Sequence, residues 1–233
     1  MKDKRSVFGY GSLIMPTSLI QRFDEELREQ AKKILEERDE DTQDELTELN
    51  TSKEALRKLE ESSIDFIPAK IYGYRRYYSL EWSESGNQLS VRKTGDEKDF
   101  VNGVIATNLS EEQFKKVERS EEPYNSVDVK RKNYDTYPSK TKLDNRGIEL
   151  PDKATLFVGD MSHPAINPST DRARNPGYHR AILKGIDVLS DLWYDSDPER
   201  EEFTREFKND FLQTTYEMTD DGWKTLAEIE DEN

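Results

Sequence analysis

Residues 17–67 contain neither glycine nor proline, a run of 51 positions. Because these two residues are the strongest local breakers of regular structure, such a run favours helices over strands and tight turns. Apolar side chains recur within it at helical spacing, first over residues 19–35 and again over 46–59. The pattern predicts a polar helical hairpin inserted at about residues 17–67.

The charge of this insert leaves two interpretations open. Residues 21–65 carry 16 acidic and 8 basic side chains, so they hold about half of the net charge of −15. One interpretation is a solvated helical excursion, and the other is a coiled coil that binds a partner.

Composition excludes several kinds of site. The chain has no cysteine, which rules out disulfides, thiolate zinc sites, iron–sulfur ligation and cysteine nucleophiles. Its two histidines, His163 and His179, make a multi-histidine metal centre improbable, so we predict no metal. His179 is expected at the surface.

Charge and hydropathy also bear on location. A net charge of −15 repels nucleic acid and anionic membranes, so we predict neither as a partner. No stretch approaches the roughly 18 apolar residues of a membrane span, and residues 1–5 lead directly into an apolar strand. We therefore expect a cytoplasmic protein, whose oligomeric state the sequence leaves unknown.

Outside the insert, the pattern predicts one α+β domain over residues 1–233. Ser110 and Gln113 form a capping box that should start a helix over 111–119, and the acidic tail at about 216–233 should fray or lie on the surface. Phe203, Phe207 and Phe211 fall on one face of a helix entered from Pro198, which predicts core packing. Strands are predicted at 6–10, 69–80, 88–93, 101–109, 124–131 and 154–158, and a further helix at 178–189.

Two glycines follow the first predicted strand, in Gly9-Tyr10-Gly11-Ser12-Leu13. Glycine allows close approach and positive φ, so backbone amides beyond the strand can converge on an anion or a carbonyl oxygen. The spacing does not match a phosphate-binding loop or a dinucleotide fingerprint. Taken alone, the segment is also typical of an ordinary junction between a strand and a turn.

The motif Tyr10-Gly11-Ser12-Leu13 after an apolar strand resembles the signature of the γ-glutamylcyclotransferase superfamily, which includes the ChaC-type enzymes and AIG2-like proteins. Further blocks resemble the family in the same order, and together they cover roughly 120 residues. They are 69–76 with its Gly-aromatic-Arg element, 101–105, 117–124, 154–158 and 178–185.

The resemblance implies a fold and a site. The fold would be a small mixed β-barrel with flanking helices, and the activity would need no cofactor. Glu121 occupies the position of the catalytic glutamate, although Glu122-Pro123 replaces the usual following glycine and leaves Glu122 as an alternative. The substrate-binding residues would be Tyr10, Gly11, Ser12, Leu13 and Tyr124.

The reaction implied by the resemblance releases 5-oxoproline from a γ-glutamyl peptide or amine, with Glu121 as general acid and base. Tyr124 either contacts the substrate through its hydroxyl or only packs. Strand alternation allows only one of Arg75 and Arg76 to point inward toward a substrate carboxylate. His163 resembles a turn element of ChaC-type members, with Asp160 as its acid. The alternative function is a noncatalytic binding or interaction protein on the same fold.

Overall fold

The computed structural model describes residues 4–37, 42–83, 86–121, 124–159 and 174–232. Its strands are β1 (Arg5–Gly9), β2 (Phe66–Tyr72), β3 (Tyr74–Ser83), β4 (Gly86–Lys93), β5 (Phe100–Leu109), β6 (Tyr124–Lys130), β7 (Tyr134–Thr136), β8 (Lys153–Gly159), β9 (Thr215–Thr219) and β10 (Gly222–Thr225). Its helices are α1 (Pro16–Phe23), α2 (Glu25–Glu37), α3 (Thr42–Asn50), α4 (Lys53–Glu60), α5 (Glu111–Ser120), α6 (Lys140–Asn145), α7 (Pro176–Trp193), α8 (Asp197–Thr214) and α9 (Leu226–Asp231).

The described strands form two mixed sheets, which agrees with the predicted α+β class. The larger has the order β6-β8-β1-β5-β2-β7 and the smaller β10-β9-β3-β4. Strand β1 lies in the middle of the larger sheet, parallel to β8 and antiparallel to β5. The described strands do not close into a barrel, so the barrel implied by the resemblance stays a prediction.

The strand predicted over 69–80 is two strands in the structure, one in each sheet. The break is Gly73, whose φ of +85° lies in the left-handed region that favours glycine. Its amide donates to the Asp99 carbonyl at 2.7 Å, which fixes the turn between β2 and β3. Gly73 therefore carries the chain from one sheet to the other.

Within its described residues, the insert has four helices instead of the two predicted. Asp24 interrupts the first apolar stripe, because its Oδ1 accepts from the Leu27 amide at 3.0 Å and begins a new helix. Ser52 does the same before α4, where its Oγ accepts from the Ala55 amide at 3.2 Å. Short polar side chains that cap helices thus divide each predicted helix.

These helices pack on the main core, so they are more than a solvated excursion. Leu27 and Ala55 are fully buried within the same apolar cluster as the strands. Burial of a leucine side chain contributes about 1.5–3 kcal/mol. The Lys58 ammonium lies 2.8 Å from Asp24 Oδ2 and joins α4 to the end of α1.

Two predicted helices are confirmed in detail. Helix α5 starts with the complete capping box of Ser110 and Gln113. The three phenylalanines of α8, Phe203, Phe207 and Phe211, are all buried. No helix in the described ranges has the length and apolar character needed to cross a membrane.

The acidic C-terminal segment is ordered, so of the two alternatives predicted for it, fraying or lying on the surface, the first is wrong. Strand β9 pairs in parallel with β3, β10 pairs with β9, and a capping box at Thr225 starts α9. The reason is apolar packing that the acidic composition conceals, since Leu226 is fully buried and Trp223 meets Tyr77 edge to face at 5.0 Å.

Candidate active site

A pocket of about 720 Å³ lies beyond the end of β1. Its wall includes the junction between α5 and β6, the first turn of α7 and three helices of the insert. The structure brings all of the predicted site residues into this wall. They are Tyr10, Gly11, Ser12, Leu13, Glu121 and Tyr124.

The glycine of the loop serves close packing, not a positive φ. Gly11 has φ −117° and ψ −125°, outside the left-handed region. A Cβ atom on Gly11 would lie 2.3 Å from the Tyr178 hydroxyl oxygen, far inside van der Waals contact. The loop therefore needs glycine here so that Tyr178 can approach its backbone.

Tyr178 is a site residue that the sequence prediction placed only in a helix. Its hydroxyl oxygen accepts a hydrogen bond from the Ser12 amide at 3.2 Å, and its ring lines the pocket. The tyrosine is placed by the start of α7, where Asn175 Oδ1 accepts from the Tyr178 amide at 2.9 Å. The Asn175-Pro176 pair was the available signal of that start.

A buried arginine supports the loop from beneath. Arg76 donates from Nη1 to the Tyr10 carbonyl at 3.2 Å and to the Asn102 carbonyl at 2.9 Å, and from Nε to Thr215 Oγ1 at 2.8 Å. Burial lowers the pKa of Arg76 to about 10. Arg75 points outward to Asp99, as strand alternation requires. Arg76 therefore binds the backbone of the loop and does not line the pocket.

Glu121 directly follows α5, and its side chain is only 13% exposed. Its Oε1 lies 3.1 Å from Arg22 Nη2, which is ion-pair distance, yet no hydrogen bond of acceptable geometry reaches that oxygen from the described residues. Burial raises the pKa of Glu121, and the Arg22 cation opposes the rise. The site thus holds a buried carboxylate that pairs with a cation and whose Oε1 receives no hydrogen bond from the described residues.

Tyr124 forms the wall beside this carboxylate. Its hydroxyl donates to the Leu89 carbonyl at 2.7 Å, and its ring meets Tyr10 edge to face at 6.5 Å between centroids. The hydroxyl is therefore engaged by the backbone, which favours packing over direct contact with a substrate.

The insert, which directly follows the loop in the sequence, supplies much of the outer wall of the pocket. Among the described residues, the lining includes five basic and two acidic side chains, although the whole chain carries −15. From the insert it takes Ser18, Gln21 and Arg22 on α1; Arg28, Glu29, Ala31, Lys32 and Leu35 on α2; and Leu46, Thr47 and Asn50 on α3. The pocket is thus locally basic in an acidic protein.

Two histidine predictions have different outcomes. His179 is half-buried, not at the surface as expected, because a hydrogen bond of 2.8 Å joins its Nδ1 to the Tyr78 hydroxyl. Burial lowers the pKa of His179 to about 4.

Three other residues singled out in the sequence lie outside the described residues: His163, Asp160 and the alternative acid Glu122. Within the described ranges, no three acidic or histidine side chains cluster as metal ligands.

Comparison with known proteins gave matches among solved structures alone. No family model and no curated protein matches the chain. An uncharacterized human protein matches at 13% identity over 87% of each chain, with a TM-score of 0.45. Gamma-glutamyl cyclotransferases are also among the matches. One matches at 13% identity over 86% of each chain, with a TM-score of 0.46.

A gamma-glutamyl cyclotransferase specific to glutathione from yeast matches at 12% identity over 89% of this chain and 97% of its own, with a TM-score of 0.47.

Proposed function

We propose that this protein is a γ-glutamylcyclotransferase-like enzyme that releases 5-oxoproline from a small γ-glutamyl peptide or amine. The observation that carries the proposal is the position of Glu121. Its buried carboxylate, with one oxygen free of hydrogen bonds, lines the same pocket as the loop Tyr10-Gly11-Ser12-Leu13. The closed barrel and a cytoplasmic location expected from the sequence belong to the same proposal.

The reaction rearranges one molecule. The α-amine of the γ-glutamyl group attacks its own γ-carbonyl carbon, a ring C–N bond forms, and the bond to the leaving nitrogen breaks. Because nucleophile and electrophile are already joined, folding the substrate into attack geometry supplies much of the acceleration.

Glu121 would move the proton. The α-ammonium must lose a proton before it attacks, and the leaving nitrogen must gain one, so one carboxylate can serve as base and then as acid. A general acid and base works best with a pKa near the working pH. Burial raises the pKa of Glu121 in that direction, which supports this role.

The loop would bind the reacting carbonyl. Backbone amides at a strand end can stabilise the charge that develops on the carbonyl oxygen, and loss of one such donor costs about 3–4 kcal/mol in other enzymes. Arg76 and Tyr178 support this role because they bind the Tyr10 carbonyl and the Ser12 amide and so fix the loop backbone. Since the Ser12 amide is engaged by Tyr178, the donor to the reacting carbonyl would be another amide of the loop.

The charge of the pocket supports an anionic substrate. A γ-glutamyl group carries an α-carboxylate, and the described lining has an excess of basic side chains. Such a local field attracts anions although the protein as a whole is acidic.

The test is release of 5-oxoproline from a panel of glutathione, γ-glutamyl dipeptides and γ-glutamyl amines. We expect product with the wild type and none with Glu121→Gln. Glu118→Gln, at an exposed position on α5, is the matched control and should keep full activity. Activity in Glu121→Gln together with its loss in Glu122→Gln would move the role by one residue. Folded protein that gives no product from any substrate would favour the noncatalytic binding protein.

A further inference from the structure

We infer that Arg22, on the first helix of the insert, is a positioning residue for Glu121 that keeps its carboxylate ionised and directed into the pocket. The inference rests on the proposed function, in which that carboxylate is the base. It assigns to the insert a part in the chemistry, in addition to its place in the pocket wall.

One guanidinium joins two consecutive residues at the end of α5. Arg22 Nη1 donates to the Ser120 carbonyl at 3.3 Å, while Nη2 lies 3.1 Å from Glu121 Oε1. The Arg22 side chain is 24% exposed and that of Glu121 13%, so water screens this pair less than a surface pair. The arginine therefore fixes the backbone of the α5 terminus together with the charge beside it.

Arg22 is itself held in place by the packing of α1. Leu19 and Ile20 are buried on the same short helix, and Asp24 directly after it pairs with Lys58 of α4. On a loose segment, the entropy lost in holding the arginine side chain in place would offset much of its attraction to the carboxylate. Here the insert fixes the helix that carries the cation.

Arg22 acts on Glu121 through its charge. Nη1 donates to the Ser120 carbonyl, and Nη2 stands 3.1 Å from Glu121 Oε1, a buried oxygen that receives no hydrogen bond of acceptable geometry from the described residues. The carboxylate therefore lies beside a positive charge that favours its ionised form. Without the cation, burial alone would favour the protonated acid, which cannot act as a base.

The other ionisable groups around Glu121 do not replace Arg22. Burial raises the pKa of Tyr10, Tyr124 and Tyr178, so these phenols are neutral at physiological pH. The remaining charged lining residues come from α5 and α2. They are Lys116, Arg119, Arg28, Glu29 and Lys32, and no ion pair joins any of them to Glu121 within the described residues.

The experiment measures the pKa of Glu121 directly, by carbon-13 NMR of glutamate-labelled protein with Glu121→Gln used to assign the signal. We expect Arg22→Met to raise that pKa by about one pH unit, since a nearby opposite charge shifts a carboxyl by about 1–3 units. Arg22→Lys should restore most of the difference. Arg57→Gln, which removes an exposed cation of α4 paired with Glu61, is the matched control and should give no shift.

Activity gives a second readout. The acidic limb of the pH profile of kcat/KM should move upward with the NMR pKa in Arg22→Met and return in Arg22→Lys. An unchanged pKa in Arg22→Met would overturn the inference, and an activity loss with that pKa unchanged would show a purely structural link to Ser120. If Arg22→Met does not fold, Arg22→Gln is titrated with the same criterion. Because NMR needs no turnover, a protein without cyclotransferase activity would refute the proposed function and still test Arg22.

Discussion

The Ser12 amide donates to the hydroxyl oxygen of Tyr178 at 3.2 Å, although the two residues lie 166 positions apart in the chain. The bond ties the loop after the first strand to the first turn of α7. In the proposed enzyme the loop binds the reacting carbonyl, so this distant tyrosine determines how firmly the loop is held.

Removal of that hydroxyl should affect catalysis more than folding. We expect Tyr178→Phe to lower kcat/KM about tenfold, which corresponds to about 1.4 kcal/mol, a typical net value for one hydrogen bond. The free energy of unfolding should fall by only about 1 kcal/mol in urea titration. Tyr72→Phe, which removes an exposed hydroxyl bonded to Asp135, is the control and should leave kcat/KM unchanged. Equal losses of activity in both variants would contradict the prediction.

Gly11→Ala tests the close approach of the same two elements. The new methyl group would meet the Tyr178 hydroxyl, and such overpacking costs about 1–3 kcal/mol. In the double variant with Tyr178→Phe the nearest remaining atom is the ring carbon Cζ at 3.5 Å, an ordinary contact. We therefore expect the double variant to melt at a higher temperature than Gly11→Ala alone. Additive losses would mean that the alanine is destabilising for another reason.

Arg75 and Arg76 offer a matched pair of neighbouring arginines. Arg76→Met should lower the free energy of unfolding by more than about 3 kcal/mol, because several buried acceptors lose their donor at about 1–3 kcal/mol each. Arg75→Met should cost at most about 1 kcal/mol, since that side chain is well exposed. Denaturation in urea measures both, and similar values would show that Arg76 is not the support of the loop.

The buried acid also predicts how stability depends on pH. Since the pKa of Glu121 is higher in the folded protein, the folded state binds more protons than the unfolded state between the two pKa values. The stabilisation that the protonated Glu121 gives the folded state is complete below the pKa of the unfolded state, ordinarily about 4.3. It is lost as the pH rises through the pKa of the folded state. As the pH rises from 4 to 7.5, the melting temperature of Glu121→Gln should therefore increase relative to that of the wild type. Glu118→Gln supplies the baseline. A relative decrease over that interval would mean that folding lowers the pKa of Glu121.

Local patterns predicted most of the regular structure. The capping box of Ser110 begins α5, and the stripe of Phe203, Phe207 and Phe211 is buried, because both features depend on neighbours within one or two turns. The breaks at Asp24 and Ser52 were also present in the sequence as helix caps, but the long apolar stripes outweighed them. The C-terminal segment was missed because its acids hide the apolar residues that pack.

The site was predictable only in part. The loop and Glu121 share a pocket, as the resemblance implied. Arg22 has no local signal that distinguishes it from other basic residues on helices, and the sequence placed Tyr178 only at the start of a helix, without its contact to the loop. Their contacts reach about 100 and 166 positions along the chain, so that only the tertiary fold brings them to the site.

The outer wall of the pocket has a consequence for how new specificities arise. Helices α2 and α3 occupy one continuous stretch of chain, whereas the carboxylate, the loop and the supporting tyrosine come from three other places. In the proposed enzyme, the helices that select the substrate and the residues that carry out the reaction thus come from separate stretches of the chain. Exchange of α2 and α3 in a variant that keeps Arg22 would change which substrates enter the pocket and leave the reaction the same.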